Sequence, residues 1–419
     1  MSHATSTEPA AERAADLQDE RLIRVEGISG AIADFGRRVR GGNLGSLPVV
    51  IGLIVIAVIF QVLNPNFLSA DNLVNLTLQC ASTGTIAIGI VLVLLLGQID
   101  LSVGSVSGLS AAIFGVGFTQ LHWDPNIAVV VSLVAGIAIG LLYGLLFTRF
   151  GVPSFVITLA GLLSFLGLQL WILGPTSSIN LPYNSWIVNF AQQSFLPPWA
   201  AYGIAVVAAL SVFLSDWLRS QRRRAAGLSP RSMTATLIKS GLLLVALCFI
   251  VWYLATDRGL GAMFLLFVVL VVVMNFFLTR TKWGRSVFAV GGSVEAARRA
   301  GINVNRVYIS VFMLCSLFAA LGGLLAAARL ASVSASSGGT DVNLNAIAAA
   351  VIGGTSLFGG RGSVWSALLG ILVIMSISNG LILLNLDSPI RYIITGAVLL
   401  LAVIVDSLSR KTRTAHGQA

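Results

Sequence analysis

The residue types that most often carry catalysis are scarce in this sequence and stand apart from one another. The three lysines, Lys239, Lys282 and Lys411, occur in I-K-S, T-K-W and R-K-T, and none of them follows a glycine. A P-loop needs Gly-Lys-Ser/Thr, because a glycine-rich backbone surrounds the phosphates while the lysine reaches them. The sequence therefore predicts no P-loop in this chain, and any ATPase acting with it is expected to be another polypeptide.

The sequence also lacks the motifs expected of acid–base catalysis or of a metal site. The three histidines are isolated, and His122 stands alone in L-H-W-D-P, while neither H-E-x-x-H nor G-x-S-x-G occurs. The three cysteines fall inside apolar runs without metal-like spacing, which is typical of small buried apolar residues. Catalytic sites need several such groups in a shared geometry. We therefore expect neither an enzyme nor a bound metal or cofactor.

Composition places the chain in a membrane. Hydrophobic residues make up 56% of it and charged residues only 10%, with a mean hydropathy of +0.92, whereas soluble domains carry about 25% charged residues. The formal charge of +10 does not indicate nucleic-acid binding, because the basic residues flank apolar runs and so act as topology signals.

Apolar runs long enough for a bilayer, about 17–25 residues, predict an all-α polytopic protein with about twelve spans. The count ranges from ten to twelve, since the runs at 103 and 342 are rich in Gly and Ser and could be discontinuous helices. We divide the chain into a cytosolic tail (1–46), a transmembrane domain (47–406) and a second cytosolic tail (407–419). The runs are Leu47–Leu63, Asn75–Gly97, Val103–Leu121, Ile127–Phe150, Ser154–Leu173, Pro198–Leu214, Thr236–Leu254, Leu260–Leu278, Val307–Arg329, Val342–Phe358, Val364–Leu384 and Ile390–Ser407.

The distribution of basic residues supports this count. With the N-terminus in the cytosol, twenty-three of the 26 Lys and Arg residues fall inside, and only Arg258, Arg329 and Arg391 fall outside. Basic residues favour the cytosolic side, and an error of one span would scramble the partition from that point onward. The sequence thus predicts twelve spans with both termini in the cytosol.

Two glycine-rich interruptions break the apolar pattern. The first, G-Q-I-D-L-S-V-G-S at 97–105, contains Asp100, which could cap a helix with Ser102 at the cytosolic surface or could act in gating or along a pathway. The second, at 353–362, exposes backbone in the same way. Two such breaks, one in each half, resemble the discontinuous helices of transporters.

A polar, helix-prone stretch at 284–306 interrupts the apolar runs again. Ser293 can cap a short helix over Val294–Ala300, and Gly301 can end it in the left-handed conformation. Glu295 near the helix start and the two arginines near its end suit the helix dipole. This pattern predicts a rigid cytosolic knob, or alternatively an ordinary loop whose arginines only fix topology.

The same stretch also resembles a known family signature. G-R-S-V-F-A-V-G-G followed by E-A-A-R-R-A-G-I-N is similar to the coupling segment of the permease subunits of bacterial sugar ABC importers. The motifs V-P-S-F-V-I-T-L-A-G at 152–161 and V-I-G-G-T-S-L-F-G-G-R-G-S-V at 351–364, together with the first glycine-rich interruption, resemble the other signatures of that family. These ordered motifs span most of the chain from 47 to 406.

The resemblance implies a transport subunit of the inner membrane. Its expected partners are a separate ABC ATPase, a periplasmic sugar-binding protein, membrane lipid and a second permease copy, with no nucleic acid. The expected coupling residues lie in the short helix, whose two alanines would face the ATPase closely and whose Glu295 could pair with a basic residue there. These residues are Val294, Glu295, Ala296, Ala297, Arg298, Arg299 and Gly301.

A neutral sugar needs hydroxyl, amide and aromatic partners rather than a fixed charge. Within the predicted spans the candidates are Ser164, Gln169, Asn275 and Asn379. Each could instead make an interhelical hydrogen bond, which is the commoner role of such residues in membranes. With Asp100 and Ser102 they complete the candidates for the pathway or its gate.

The substrate is narrowed by a basic insertion at 219–239. It joins what looks like an extra pair of spans that is absent from shorter members such as ribose permeases, and this arrangement resembles D-xylose permeases. Arabinose, galactose or ribose remain alternatives, as does an ion-coupled secondary transporter, which would need ionisable residues along its pathway. The long external loop at 174–197 could dock a soluble partner or could simply be a packed lid.

The charge partition can be tested directly. We expect a single cysteine placed at 174–197 in a cysteine-free variant to react with a membrane-impermeant thiol reagent on intact cells, whereas one at 219–239 should not. The reason is that basic segments stay in the cytosol. Equal labelling of the two loops would overturn the predicted topology, and labelling of both after permeabilisation is the control.

Overall fold

The described residues are almost all helical, apart from connecting turns and two short strands. The structure, a computed structural model, describes residues 47–228, 233–387, 389–391, 393–397 and 400. The predicted tails (1–46 and 407–419) and most of the run Ile390–Ser407 lie outside these residues. The helices are α1 (Leu47–Leu63), α2 (Ala70–Leu95), α3 (Val103–Thr119), α4 (Pro125–Phe150), α5 (Ser154–Leu173), α6 (Trp186–Gln192), α7 (Pro198–Ala225), α8 (Met233–Leu254), α9 (Ala262–Arg280), α10 (Lys282–Gly292), α11 (Val294–Arg299), α12 (Val304–Leu330), α13 (Thr340–Ile352) and α14 (Trp365–Leu383), and two short strands are β1 (Ser178–Asn180) and β2 (Ser332–Ser334).

The predicted class, a polytopic helical membrane protein, is confirmed. Among the described residues, eight helices are long and apolar enough to cross a membrane, and α1, α3 and α13 are shorter apolar helices. These helices coincide with eleven of the twelve predicted runs. The run Val342–Phe358 was drawn too long, because its helix ends at Ile352 and the glycines that follow continue as turn. The exact number of spans stays a prediction.

Helix α12 forms the centre of the larger part of the chain, packed against α2, α3 and α4. Its neighbours approach it with glycines. Gly136, Gly140 and Gly144 of α4 recur every fourth residue, and a methyl group on Gly140 would lie 2.6 Å from the Met313 Cα. In membranes such small residues allow close backbone packing where hydrophobic association is weak.

The chain divides into two compact units. Among the described residues, one unit contains 197–228 and 233–253, and the other contains 47–196, 254–387 and the few described residues that follow. Within the first unit, α7 and α8 are tied by an ion pair between Lys239 Nζ and Asp216 Oδ2 at 2.9 Å, with the Asp216 side chain buried. Helix α7 runs beyond the predicted span at 198–214 and ends with three consecutive arginines.

The segment that follows α12, at 331–341, packs against other parts of the chain. β2 pairs antiparallel with β1, with Ile179 opposite Val333. The chain then runs along α3 until the carbonyl of Gly338 lies beside Gly104. Asn343 Nδ2 donates to the Leu101 carbonyl at 2.6 Å. Helices α3 and α13 therefore begin next to each other.

The predicted external lid at 174–197 is packed rather than loose. Besides β1 it contains α6, whose Ile187 and Val188 are buried, and Gln192 donates to the Arg329 carbonyl at 2.9 Å. Trp186 and Tyr183 remain exposed on it. The packing supports the lid interpretation, and a docking role would use the exposed aromatic residues.

Candidate functional site

The predicted short helix in the coupling segment is present, with both of its caps. The Ser293 hydroxyl accepts a bond from the Ala296 amide at 3.3 Å. At the other end Gly301 has φ +78°. The Gly301 amide donates to Arg298 O and the Ile302 amide to Ala297 O, each at 3.1 Å. This pair of hydrogen bonds is the Schellman motif, in which a glycine in the left-handed conformation lets the last carbonyls of a helix find donors.

Helix α11 presents one face outward and keeps the other against the chain itself. Glu295, Ala296, Arg298 and Arg299 are exposed, whereas Ala297 is only 3% exposed. The expectation that both alanines face a partner is therefore wrong for Ala297, which packs into the apolar core of this chain. A buried methyl cannot touch a second protein without unfolding of the knob.

Glu295 has a neighbour within its own helix. Its carboxylate lies 3.9 Å from the guanidinium of Arg299, one turn later, and both side chains are more than four-fifths exposed. Exposed pairs of this kind contribute about 0–1 kcal/mol. Glu295 therefore remains available to a basic residue of another protein.

Helix α10 fixes the knob to the rest of the chain. It begins at Thr281, whose hydroxyl accepts from the Gly284 amide at 3.2 Å. Trp283 Nε1 donates to the Ser310 hydroxyl of α12 at 2.9 Å. Val287 and Val290 are fully buried. The coupling segment is thus anchored by side chains on one face of α10.

The end of α10 meets both glycine-rich breaks at what we call the glycine junction, formed by Leu95, Gly97, Gly291, Gly359 and Gly360. The Gly360 amide donates to the Leu95 carbonyl at 2.9 Å. A methyl group on Gly291 would overlap that carbonyl and lie 2.8 Å from the Gly360 nitrogen. Gly97, Gly359 and Gly360 have positive φ, which suits glycine at each position. Three separate chain segments therefore approach one another closely at their backbones.

Asp100 lies inside the protein, where it is bonded to the start of α3. The residue is 1% exposed. One carboxylate oxygen accepts from the Ser102 amide at 2.8 Å and from the Ser102 hydroxyl at 2.7 Å. The other lies 3.6 Å from the Cys315 sulfur. Ser102 is the N-cap of α3, without a side-chain bond to the helix, so Asp100 stabilises the turn ahead of it.

The surroundings of Asp100 join three helices. Tyr143 of α4 donates its hydroxyl to Ser102 at 2.8 Å, and Cys315 lies near the middle of the 27-residue α12. The start of α3 is therefore halfway along a spanning helix, which fits a discontinuous helix. Asp100 has no ion-pair partner among the described residues, and its buried carboxyl group is held by the hydrogen bonds from Ser102 and Cys315.

The remaining pathway candidates have separate surroundings. Gln169 is fully buried, and its amide donates to Ser334 O at 3.1 Å and to Ser337 O at 2.9 Å. It therefore holds the segment between α12 and α13 in place. Asn379 exchanges two bonds with Asn72, at 2.8 and 3.0 Å. These geometries favour structural hydrogen bonds over sugar contacts. Ser164 is exposed and Asn275 is half-buried.

Three residues of these networks escaped the sequence analysis. Asn72 lies ahead of the predicted run Asn75–Gly97, although Ser69, three residues earlier, is a good N-cap and α2 begins at Ala70. Asn343 and Tyr143 were read as parts of apolar runs. The amide in V-N-L-N, which follows G-G-T-D, was the available signal for Asn343, whereas Tyr143 offered none.

Comparison with known proteins decides the family. The model described as "Branched-chain amino acid transport system / permease component" matches residues 72–403. The chain belongs to this family of permease components. It is 36% identical over 370 residues to the xylose transport system permease protein of Escherichia coli K12, covering 88% of this chain and 93% of that protein. The Haemophilus influenzae xylose permease is 34% identical over 375 residues, covering 89% and 99%.

The ribose import permease of Escherichia coli K12 is also similar, at 31% identity over 358 residues, covering 85% of this chain and 92% of that protein. No solved structure matches the chain. As an ABC sugar-importer permease, the protein is a multi-pass subunit of the inner membrane and not an enzyme. Its partners are a separate ATPase subunit and a sugar-binding protein.

The two interpretations of Asp100 predict different variants. Asp100→Asn keeps an oxygen for both Ser102 donors, so a structural role predicts nearly normal stability and sugar uptake. Asp100→Leu leaves those donors buried and unpaired, at a cost of about 1–3 kcal/mol. Melting of the detergent-purified permease and sugar uptake in cells would measure both. A stable Asp100→Asn permease that no longer transports would instead assign the charge a role in gating.

Proposed function

We propose that this permease forms the translocation pathway for a pentose of the xylose type, and that the exposed face of α11 receives the ATPase. The observation that carries the proposal is the doubly capped α11, held rigid and presenting charged and small residues outward. The similarity to permeases of xylose transport systems supports the substrate. The ribose relative keeps a second pentose as the alternative.

The docking surface consists of Glu295, Ala296, Arg298 and Arg299, with Val294 and Gly301 setting its ends. A small residue between charged ones lets a partner surface approach closely while the charges orient it. Ala297 supports this surface from behind, because it is buried against the permease core. ATP-driven closure of the ATPase pair would then move the helix as a lever.

We place the pathway between two copies of the permease. Asp100, Ser102, Gln169 and Asn379 are enclosed within one copy and bonded to protein groups, so none of them faces a free channel. Ser164 and Asn275 lie on less buried positions and remain candidates for the lining or for lipid contact. Twelve spans with cytosolic termini fit the basic-residue partition.

The docking surface can be tested at Ala296. Because this residue is exposed on α11, Ala296→Trp should overpack the contact with the ATPase by about 1–3 kcal/mol, lowering association roughly tenfold. Pull-down of the ATPase subunit and sugar uptake at matched expression are the measurements. Ala226→Trp is the control, since Ala226 is an exposed alanine at the end of α7. Equal association of wild type and Ala296→Trp would remove α11 from the interface.

Substrate choice needs a growth experiment. A strain lacking this gene and other xylose transporters should fail to grow on low xylose, while its growth on ribose is unchanged. Restoring the gene should restore growth on xylose, which controls for secondary effects of the deletion. Normal xylose uptake together with lost arabinose or galactose uptake would keep the transport role and change the sugar.

A further inference from the structure

The glycine junction joins the coupling segment to the membrane domain where their backbones approach closely. At Gly291 the last turn of α10 lies against the Leu95 carbonyl, and a methyl group there would overlap it. That carbonyl already accepts the Gly360 amide at 2.9 Å. A methyl group on Gly359 would in turn lie 2.8 Å from the carbonyl oxygen of Gly291. Contacts this close leave no room for the three segments to slide past one another.

The glycine junction is adjacent in the chain to the segments that begin α3 and end α13. Leu95 is the last residue of α2, and Asp100, five residues later, holds the turn at the start of α3. Leu101 O accepts the Asn343 amide at the start of α13. On the other side, Gly360 belongs to the break between α13 and α14. A displacement of α10 therefore reaches both ends of α13 and the start of α3.

We propose that the glycine junction transmits the motion of the coupling segment to α3 and α13, with Gly291 as its positioning residue. The proposal rests on the docking of the ATPase at α11. Because backbone atoms in contact cannot rearrange as side chains do, the junction acts as a stiff link between α10 and the two breaks. Packed interfaces shift between discrete arrangements rather than deforming continuously.

The adjacent glycine supplies a matched control. A methyl group on Gly292 would have no neighbour within 4 Å, whereas one on Gly291 would strike backbone. Both residues lie in α10 without positive φ, so replacement by Ala gives the same gain in helix propensity. Any difference between Gly291→Ala and Gly292→Ala therefore comes from the junction.

The experiment uses the full transporter with its ATPase and binding protein. We expect Gly291→Ala to co-purify with the ATPase as wild type does, yet to transport about tenfold less sugar per ATP hydrolysed. Gly292→Ala should stay within about twofold, as exposed substitutions do. Wild-type transport per ATP in Gly291→Ala would overturn the proposal. The association of Ala296→Trp with the ATPase tests the docking role separately. Unchanged association of that variant would reject docking at α11, whatever Gly291→Ala does.

A second measurement covers the case in which Gly291→Ala does not fold. Spin labels on Gly292→Cys and on Phe358→Cys, both exposed, flank the junction in an otherwise native chain whose half-exposed Cys248 is replaced by Ser. A stiff link predicts the same spin–spin broadening in the nucleotide-free and ATP-bound complexes. A change in broadening between those states would show that the junction opens, and would reject it as a rigid link.

Discussion

The close approach of neighbouring backbones to α12 is the constraint on which the rest of the structure depends. In lipid, helices gain little from hydrophobic association, so contact area at short distance must stabilise the bundle. The glycines of α4 at every fourth position provide it on one side. On another side Gly89 of α2 lies against the Cys315 carbonyl. With α12 held in this way, the buried groups around Asp100 have fixed partners.

Polar groups inside the bundle follow from that packing. Non-helical backbone at membrane depth is tolerated only where protein covers it. The turn before α3 is covered because Asp100, Tyr143 and Cys315 close around Ser102. The segment before α13 is covered because Gln169 donates to two of its carbonyls. The turn before α3 and the segment before α13 are thus ordered by buried hydrogen bonds.

Local signals predicted most of the helices and the whole of α11. Capping is a short-range property, so Ser293 and Gly301 could be read from sequence, and the apolar runs mark nearly every helix. Tertiary contacts could not be read in the same way. Ala297 and Ala296 are identical in sequence terms, yet only one is buried, because the difference depends on how α10 and α12 meet. The segment at 331–339 carries no charged residue and no helix signal, and the hydrogen bonds that fix its place come from β1 and Gln169, more than a hundred positions away.

The position of that segment constrains how the protein can be made. Serines and glycines at 332–339 cannot rest in lipid with unpaired backbone groups, and their partners at Gly104, Gly108 and Gln169 belong to helices synthesised much earlier. The segment can therefore be buried only where α3 and α5 lie beside it. Packing of the carboxy-terminal half thus depends on the packing of the amino-terminal half.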